Sequence, residues 1–259
     1  MGNKDEIIKS LKRLKEYYGV ISIKAEFEAE GSRKDELIML RDFIDNVGLG
    51  FIIKIGGCEA VHDLDQCKLL YATGVMAPMI ETPFAMTKFR GAFDRIYGKE
   101  VEIEKIINAE TITCLHNFEE ILSSGRNFIT GVTVGRSDLS ASMGIKKEDI
   151  ESDEVFDATK EFILKAKAAG LVTNFGGSIG VESIPFIKAL HPYIDRFETR
   201  KVVIQSDENE KFLKQAIYEA LHFELLYLEF KSDYYSRMAL EDEKRMLRLK
   251  TQIERGGRI

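Results

Sequence analysis

Short apolar segments alternate with longer amphipathic segments along most of the chain. The apolar segments are rich in β-branched residues, as in "GVISIKAEF", "LGFIIKIGG" and "FITGVTVGRSD", and each is followed by a stretch with helical spacing. This alternation is typical of a parallel sheet whose strands are joined by crossover helices. We count seven such strands, with a single helix before the first. The pattern therefore predicts an α/β fold whose N-terminal unit is incomplete or irregular.

Charged residues recur where these apolar segments end, one in each of five successive segments. They are Glu26, Lys54, Glu81, Glu110 and Asp138. Their spacing of 27 to 29 residues suits one strand and one crossover helix. In a parallel barrel the carboxyl ends of all strands meet at one rim, where active sites are built. We expect these side chains to share one pocket, with Asn174 and Arg200 as further candidates on later strands.

The pattern changes after residue 205, where about fifty residues of helical sequence follow. Its first apolar positions have three- and four-residue spacing, which makes one stripe along a helix. These positions are Leu213, Ile217, Leu221, Leu225 and Leu228. The segment "KSDYY" predicts a break in this helix. We expect a barrel over residues 1–205 and a helical extension over residues 206–259 that packs on the barrel or on a neighbouring subunit, which predicts a homo-oligomer.

Composition limits the possible functions of the chain. It has 259 residues and a formal net charge of -6, with basic residues interspersed among acids, so it lacks the basic stripe that binds nucleic acid. No segment approaches the ~20 apolar residues of a membrane span, and no signal-peptide core begins the chain, which predicts a cytoplasmic protein. Three cysteines without C-x-x-C spacing predict reduced thiols.

Glu110 and Asp138 lie at the ends of consecutive predicted strands. Neighbouring parallel strands are about 4.8 Å apart, so the two carboxylates can converge on one cation. Without cysteine or histidine nearby, such a pair favours an ion that prefers oxygen ligands, Mg²⁺ or Mn²⁺. The alternative for Asp138 is a cap on the first turn of a helix.

Two adjacent stretches resemble the HpcH/HpaI aldolase and citrate lyase beta-subunit family. "INAETITCLHNFEEI" is similar to the family's strand that ends in a metal-ligand Glu-Thr, and "GVTVGRSDLSASMG" is similar to its Gly-x-x-Asp-Leu-x-x-x-x-Gly element, which carries the second metal ligand. The resemblance covers roughly residues 20–205. It implies a (β/α)8 TIM-like barrel in which Glu110 and Asp138 hold Mg²⁺ or Mn²⁺.

The resemblance also implies a substrate and a reaction. The substrate would be a small 2-oxo acid of the pyruvate or oxaloacetate type, and a carbon–carbon bond beside it would be cleaved or formed through a metal-stabilised enolate. Backbone N–H groups around Ser137 and Asp138 would receive the substrate carboxylate. The candidate substrate-binding residues are Gly135, Arg136, Ser137 and Asn174.

The sequence departs from the family at two catalytic positions. Lys54 stands where the family commonly has an arginine beside the substrate carbonyl, and an ammonium lacks the bidentate fork of a guanidinium. The family's acid–base histidine has no counterpart in "IKAEFEAEG", where Glu26 is the candidate base. Lys54, Glu26 and Glu81 are therefore the candidate catalytic residues.

Two alternatives to a metal-dependent lyase stay open. Lys24 and Lys54 each lie in an apolar strand, as a Schiff-base aldolase requires, because desolvation lowers the pKa of an amine. Ion pairing with nearby acids is the simpler explanation of both lysines. The absent histidine favours the other alternative, a barrel without chemistry that serves as a binding or assembly subunit.

Overall fold

The structure is a computed structural model that describes residues 2–256, so the last three residues of the predicted extension lie outside it. Eight strands form a closed barrel in chain order, which confirms the barrel and adds one strand to the seven predicted. The strands are β1 (Val20–Glu26), β2 (Gly50–Lys54), β3 (Gly74–Ala77), β4 (Glu104–Ala109), β5 (Gly131–Gly135), β6 (Val172–Gly176), β7 (Arg196–Glu198) and β8 (Val202–Gln205).

Helices surround the barrel and precede and follow it. They are α1 (Gly2–Tyr17), α2 (Lys34–Asp45), α3 (Val61–Leu69), α4 (Pro83–Tyr97), α5 (Ile112–Ser124), α6 (Arg136–Ser142), α7 (Asp153–Ala168), α8 (Ile184–Leu190) and α9 (Glu210–Gly256), with short 3-10 helices at Lys147–Asp149 and Val181–Ser183. Threonine hydroxyls cap the N-termini of α4 and α5. The Thr82 hydroxyl accepts from the Ala85 N–H, and the Thr111 hydroxyl accepts from the Cys114 N–H. No helix among residues 2–256 is long and apolar enough to cross a membrane.

The last predicted strand is a hairpin of two strands. β7 runs parallel to β6, whereas β8 runs antiparallel to both β7 and β1. Thr199 closes the turn, since its N–H donates to the Val202 carbonyl and its hydroxyl accepts from the Val202 N–H. The prediction of an all-parallel barrel is therefore confirmed for β1 to β7 and wrong for β8.

The reversal of β8 sets the direction of α9. β8 ends at Gln205, beside Ser22 and Arg196 at the amino-terminal end of the barrel. α9 therefore begins there and runs towards the opposite end, where Leu221 and Glu224 reach the mouth. The predicted break at "KSDYY" is wrong, because α9 continues through it.

The interior of the barrel has two layers, because alternate residues of each strand point inward. The lower layer is apolar and consists of Ile52, Met76, Ile106 and Val203. The upper layer, nearest the carboxyl ends of the parallel strands, is polar and buried. It includes Lys24, Lys54, Asn108, Thr133, Asn174 and Glu198. The polar layer forms the floor of the candidate site.

Candidate active site

A cavity of about 770 Å³ opens at the mouth of the barrel, above this polar layer. Six carboxylates line it, against four basic side chains. The acids are Glu26, Glu28, Glu110, Asp138, Glu198 and Glu224, and the bases are Lys24, Lys54, Lys147 and Arg200. The formal excess of negative charge favours a cation in this cavity.

Four of the five rim residues expected from the sequence line the cavity. Glu26 and Lys54 are the last residues of β1 and β2 and are paired in register. Glu110 directly follows β4, and Asp138 lies in the first turn of α6 after β5. The repeat of strand and helix thus brings these side chains together at one rim.

Glu110 is buried, with 1% of its surface exposed. Its Oε1 accepts from the Met79 N–H at 3.0 Å, and its Oε2 accepts from Lys54 Nζ at 3.2 Å and from the Asn108 amide. Burial raises the pKa of the Glu110 carboxyl and outweighs the attraction of Lys54 and the hydrogen bond from Met79. The contacts nevertheless orient both oxygens of this carboxylate.

Lys54 links two carboxylates at the mouth. Its Nζ lies 2.6 Å from Glu28 Oε2 in addition to its contact with Glu110. Burial opposes the charged form, but attraction to Glu110 and Glu28 outweighs burial, so the pKa of Lys54 is raised. Lys54 is therefore an ammonium at neutral pH.

Asp138 differs from Glu110 because it is exposed to the cavity. Within residues 2–256 its carboxylate has no hydrogen bond and no ion pair, so it does not cap α6. Gly135 and Ser137 also line the cavity beside it. A Cβ on Gly135 would lie 3.1 Å from Glu110 Oε2, so any side chain there would press on this carboxylate.

Arg136, a predicted substrate-binding residue, does not line the cavity. Its guanidinium is fully buried, donating to Glu151 Oε2 at 2.8 Å and to the Gly177 carbonyl at 2.9 Å. It also lies over the ring of Phe186, with 4.3 Å between Cζ and the ring centroid. The guanidinium makes its hydrogen bonds and ring contacts within the protein. Arg136 therefore stabilises the segments that carry Glu151 and Gly177, under the site.

Two other predicted site residues also lie outside the cavity lining. Glu81 accepts a hydrogen bond from the Thr111 hydroxyl at 2.6 Å, next to the start of α5. Asn174 is buried below the mouth, where its Nδ2 donates to Glu198 Oε2 at 2.6 Å and to Thr133 Oγ1 at 3.1 Å. Glu81 therefore holds a helix start, and Asn174 orients Glu198.

Three residues of the site were missed by the sequence interpretation: Asn108, Glu198 and Glu224. Asn108 had a signal, because it precedes Glu110 by two residues and alternation puts both on one side of the chain. Glu198 pairs with Lys24 through the floor of the cavity. Glu198 is the last residue of β7, before the chain reverses. The position of Glu224 depends on the hairpin that reverses the chain.

The donor set at the mouth suits a hard cation only in part. Among residues 2–256, no group of three or more His, Cys, Asp or Glu side chains is arranged to hold a metal ion. Glu110 and Asp138 supply two carboxylates, and among the described residues no cysteine or histidine lines the cavity, which agrees with a preference for oxygen ligands. Two protein ligands leave the other positions to water or substrate, as Mg²⁺ commonly requires.

Residues 52–176 match the model of the HpcH/HpaI aldolase/citrate lyase family. The match covers just under half of the chain and is consistent with a divergent member of that family. The matched segment runs from β2 to the end of β6 and includes Lys54, Glu110 and Asp138. The resemblance seen in the sequence is confirmed, and the family supports a lyase or aldolase function. No curated protein matches the chain in sequence.

Several solved structures share the fold at low sequence identity. An HpcH/HpaI aldolase from Desulfitobacterium hafniense DCB-2 superposes with a TM-score of 0.61 at 15% identity, over 77% of this chain and 82% of that chain. A family protein from Burkholderia cenocepacia J2315 gives 0.57 at 15% identity, over 91% and 99%. The citrate synthase SbnG gives 0.57 at 16% identity, over 85% and 97%. At these identities the likeness establishes the fold alone.

Proposed function

We propose that the protein is a divalent-metal-dependent carbon–carbon lyase or aldolase that acts on a 2-oxo acid of the pyruvate or oxaloacetate type. One observation carries the proposal: Asp138, whose carboxylate is unpaired within the described part of the chain, faces the same cavity as the oriented carboxylate of Glu110. The family match of residues 52–176 supports the lyase or aldolase class.

Glu110 and Asp138 would hold the cation, Mg²⁺ or Mn²⁺. A carboxylate has roughly four lone-pair positions, and Met79, Lys54 and Asn108 use three of those on Glu110. One position stays available, and no described residue competes for the Asp138 carboxylate. When bound, such a cation would polarise the carbonyl of a chelated 2-oxo acid and stabilise the enolate charge.

The chain itself would position the substrate. We assign the substrate carboxylate to the backbone N–H groups of Ser137 and Asp138, because the first N–H groups of a helix have no partner within it. Lys54, held as an ammonium, would donate to the carbonyl oxygen as its charge develops. The sequence suggests Glu26 as the base. Its Oε1 lies 3.5 Å from the guanidinium of Arg200.

The Schiff-base alternative receives less support from these contacts. A lysine nucleophile must be a neutral amine, whereas Lys54 contacts two carboxylates that favour its charged form. Lys24 is paired with Glu198. A barrel without chemistry stays the second alternative and is an outcome of the test below.

The test is a screen for pyruvate release from hydroxy-oxo acids and acyl-CoA esters, with and without a chelator. We expect turnover that the chelator abolishes and Mn²⁺ restores. Borohydride added with substrate distinguishes the Schiff-base alternative, because covalent trapping at Lys24 or Lys54 would contradict the metal mechanism. No turnover with any substrate would favour the barrel without chemistry.

A further inference from the structure

We propose that Glu224 on α9 is the proton-transferring residue of this site, in which the family's acid–base histidine has no counterpart. The inference rests on the proposed function and deepens it, because it assigns the acid–base step to the C-terminal helix. That helix lies outside the segment that matches the family.

The reversed β8 brings Glu224 to the cavity. A helix that follows a parallel strand descends from the mouth, whereas α9 follows an antiparallel strand and rises towards it. Leu221, one turn earlier on α9, lines the same cavity and places an apolar group beside Glu224. The half-buried Glu224 thus enters the site from above the polar layer.

Glu224 differs from most other acids of the cavity because no described basic side chain forms an ion pair with it. Four of the six carboxylates contact a basic side chain: Glu26, Glu28, Glu110 and Glu198. Asp138 and Glu224 have no hydrogen bond or ion pair within residues 2–256. Because Asp138 is a candidate metal ligand, Glu224 is the carboxylate that stays free to exchange a proton.

The surroundings of Glu224 suit this role. Lys24 faces it from β1, Arg200 and Lys201 face it from the β7–β8 turn, and Glu30 faces it from the segment after β1. Burial raises the pKa of Glu224 and outweighs the attraction of these basic groups. A carboxyl whose pKa moves towards neutrality is a better general acid and base at neutral pH.

For a 4-hydroxy-2-oxo acid, Glu224 would first accept and then return the same proton. Its carboxylate accepts the proton of the 4-hydroxyl group while the bond between carbons 3 and 4 breaks, which releases an aldehyde. The electrons of that bond form the enolate of pyruvate. Protonated Glu224 then returns the proton to carbon 3, which gives pyruvate and restores the carboxylate.

The test compares Glu224→Gln with Glu229→Gln, a matched change at an exposed glutamate on the same helix. Three measurements are made on the full-length protein: kcat and KM for pyruvate release across pH, exchange of the pyruvate methyl protons in D2O by NMR, and Mn²⁺ affinity by calorimetry. We expect E224Q to lower kcat and methyl exchange by about 100-fold or more, with KM and Mn²⁺ affinity unchanged. The acid limb of the pH profile should disappear, and Glu224→Asp should restore part of the rate.

The outcomes separate this inference from the proposed function. If the wild-type protein turns over a 2-oxo acid and E224Q matches it in kcat and methyl exchange, Glu224 is not the proton-transferring residue and the lyase stands. A wild-type protein inert towards every 2-oxo acid overturns the proposed function, and this inference with it. Equal losses in E224Q and E229Q would mean that the changes act through α9 as a whole, which also overturns the role of Glu224.

Discussion

Lys54 Nζ lies 3.2 Å from Glu110 Oε2, and the two side chains are 7% and 1% exposed. The residues come from β2 and from the end of β4, with β3 between them, so their contact spans the mouth of the barrel. One ion pair therefore joins two strands that share no hydrogen bonds and orients a candidate metal ligand.

Replacing Lys54 by methionine should destabilise the fold. The change keeps most of the apolar stem but leaves the buried Glu110 without its cation, and breaking a buried ion pair costs about 3–5 kcal/mol. Urea unfolding measures the free energy, with Lys88→Met as the control because the Lys88–Glu59 pair is exposed. A loss in K54M no greater than in K88M would show that Lys54 does not stabilise the barrel.

Removing Asp138 should weaken metal binding without unfolding the protein. Among the residues that the structure describes, the Asp138 carboxylate has no partner, so Asp138→Ala breaks no ion pair there, and we expect Mn²⁺ affinity to fall at least about tenfold, or ~1.4 kcal/mol. Glu110→Ala should weaken binding as well. Calorimetry measures both affinities, with Asp157→Ala as an exposed control on α7. Unchanged affinity in both site variants would contradict the metal assignment.

Arg136→Lys should lower stability and leave Mn²⁺ affinity unchanged. An ammonium cannot replace the planar fork that contacts Glu151 and the Gly177 carbonyl and lies over Phe186. Because Glu151 is partly exposed, we expect a loss of about 2 kcal/mol in unfolding free energy, below the range for a fully buried pair. A stable variant with weaker substrate binding would instead support the role inferred from sequence.

The contacts of Glu36 predict that the packing between α2 and α9 depends on pH. Burial opposes ionisation of Glu36, but its contacts with Lys231 and Tyr235 outweigh burial and lower its pKa. A carboxyl with a lowered pKa adds stability above its unfolded value of 4.5, and that stability is lost as the pH falls through the folded value. Glu36→Gln should therefore lower the urea midpoint at pH 7 and lose this effect in acid. A difference between the proteins that is constant from pH 7 to pH 3 would refute this linkage.

Truncation after Ser232 should reduce the molecular mass of the assembly seen by light scattering. The removed part of α9 carries exposed apolar side chains that a second subunit can cover: Met238, Leu240, Met246, Leu247 and Leu249. Truncation after Thr251 keeps these residues and is the control. A full-length protein that is monomeric at micromolar concentration would mean that no subunit contact covers this part of α9.

The rim of the site was predictable because it follows from a short-range rule. A strand and its crossover helix take a near-constant number of residues, so spacing alone placed Glu26, Lys54, Glu110 and Asp138 together. Glu81 obeys the same spacing but follows β3 by four residues, which carries it outward to Thr111. Spacing therefore predicts the rim and not the direction of each side chain.

The reversal of β8 and the burial of Arg136 depend on information that local patterns lack. The turn at Thr199, Arg200 and Lys201 contains no glycine, proline or asparagine, so nothing in the segment marks a hairpin. Arg136 is enclosed by Phe175 and Phe186, which lie about 40 and 50 residues later in the sequence. Tertiary packing decides both features.

The antiparallel closure of the barrel has a consequence for synthesis of the chain. β1 pairs with β8, and Lys24 contacts Glu198 across 174 residues of sequence. Until the ribosome has released β8, one edge of β1 has no hydrogen-bonding partner and can pair with another nascent chain. Contacts of such long sequence separation also form slowly. β1 therefore lacks its second neighbouring strand through most of translation. Chaperones that shield strand edges should raise the yield of this protein.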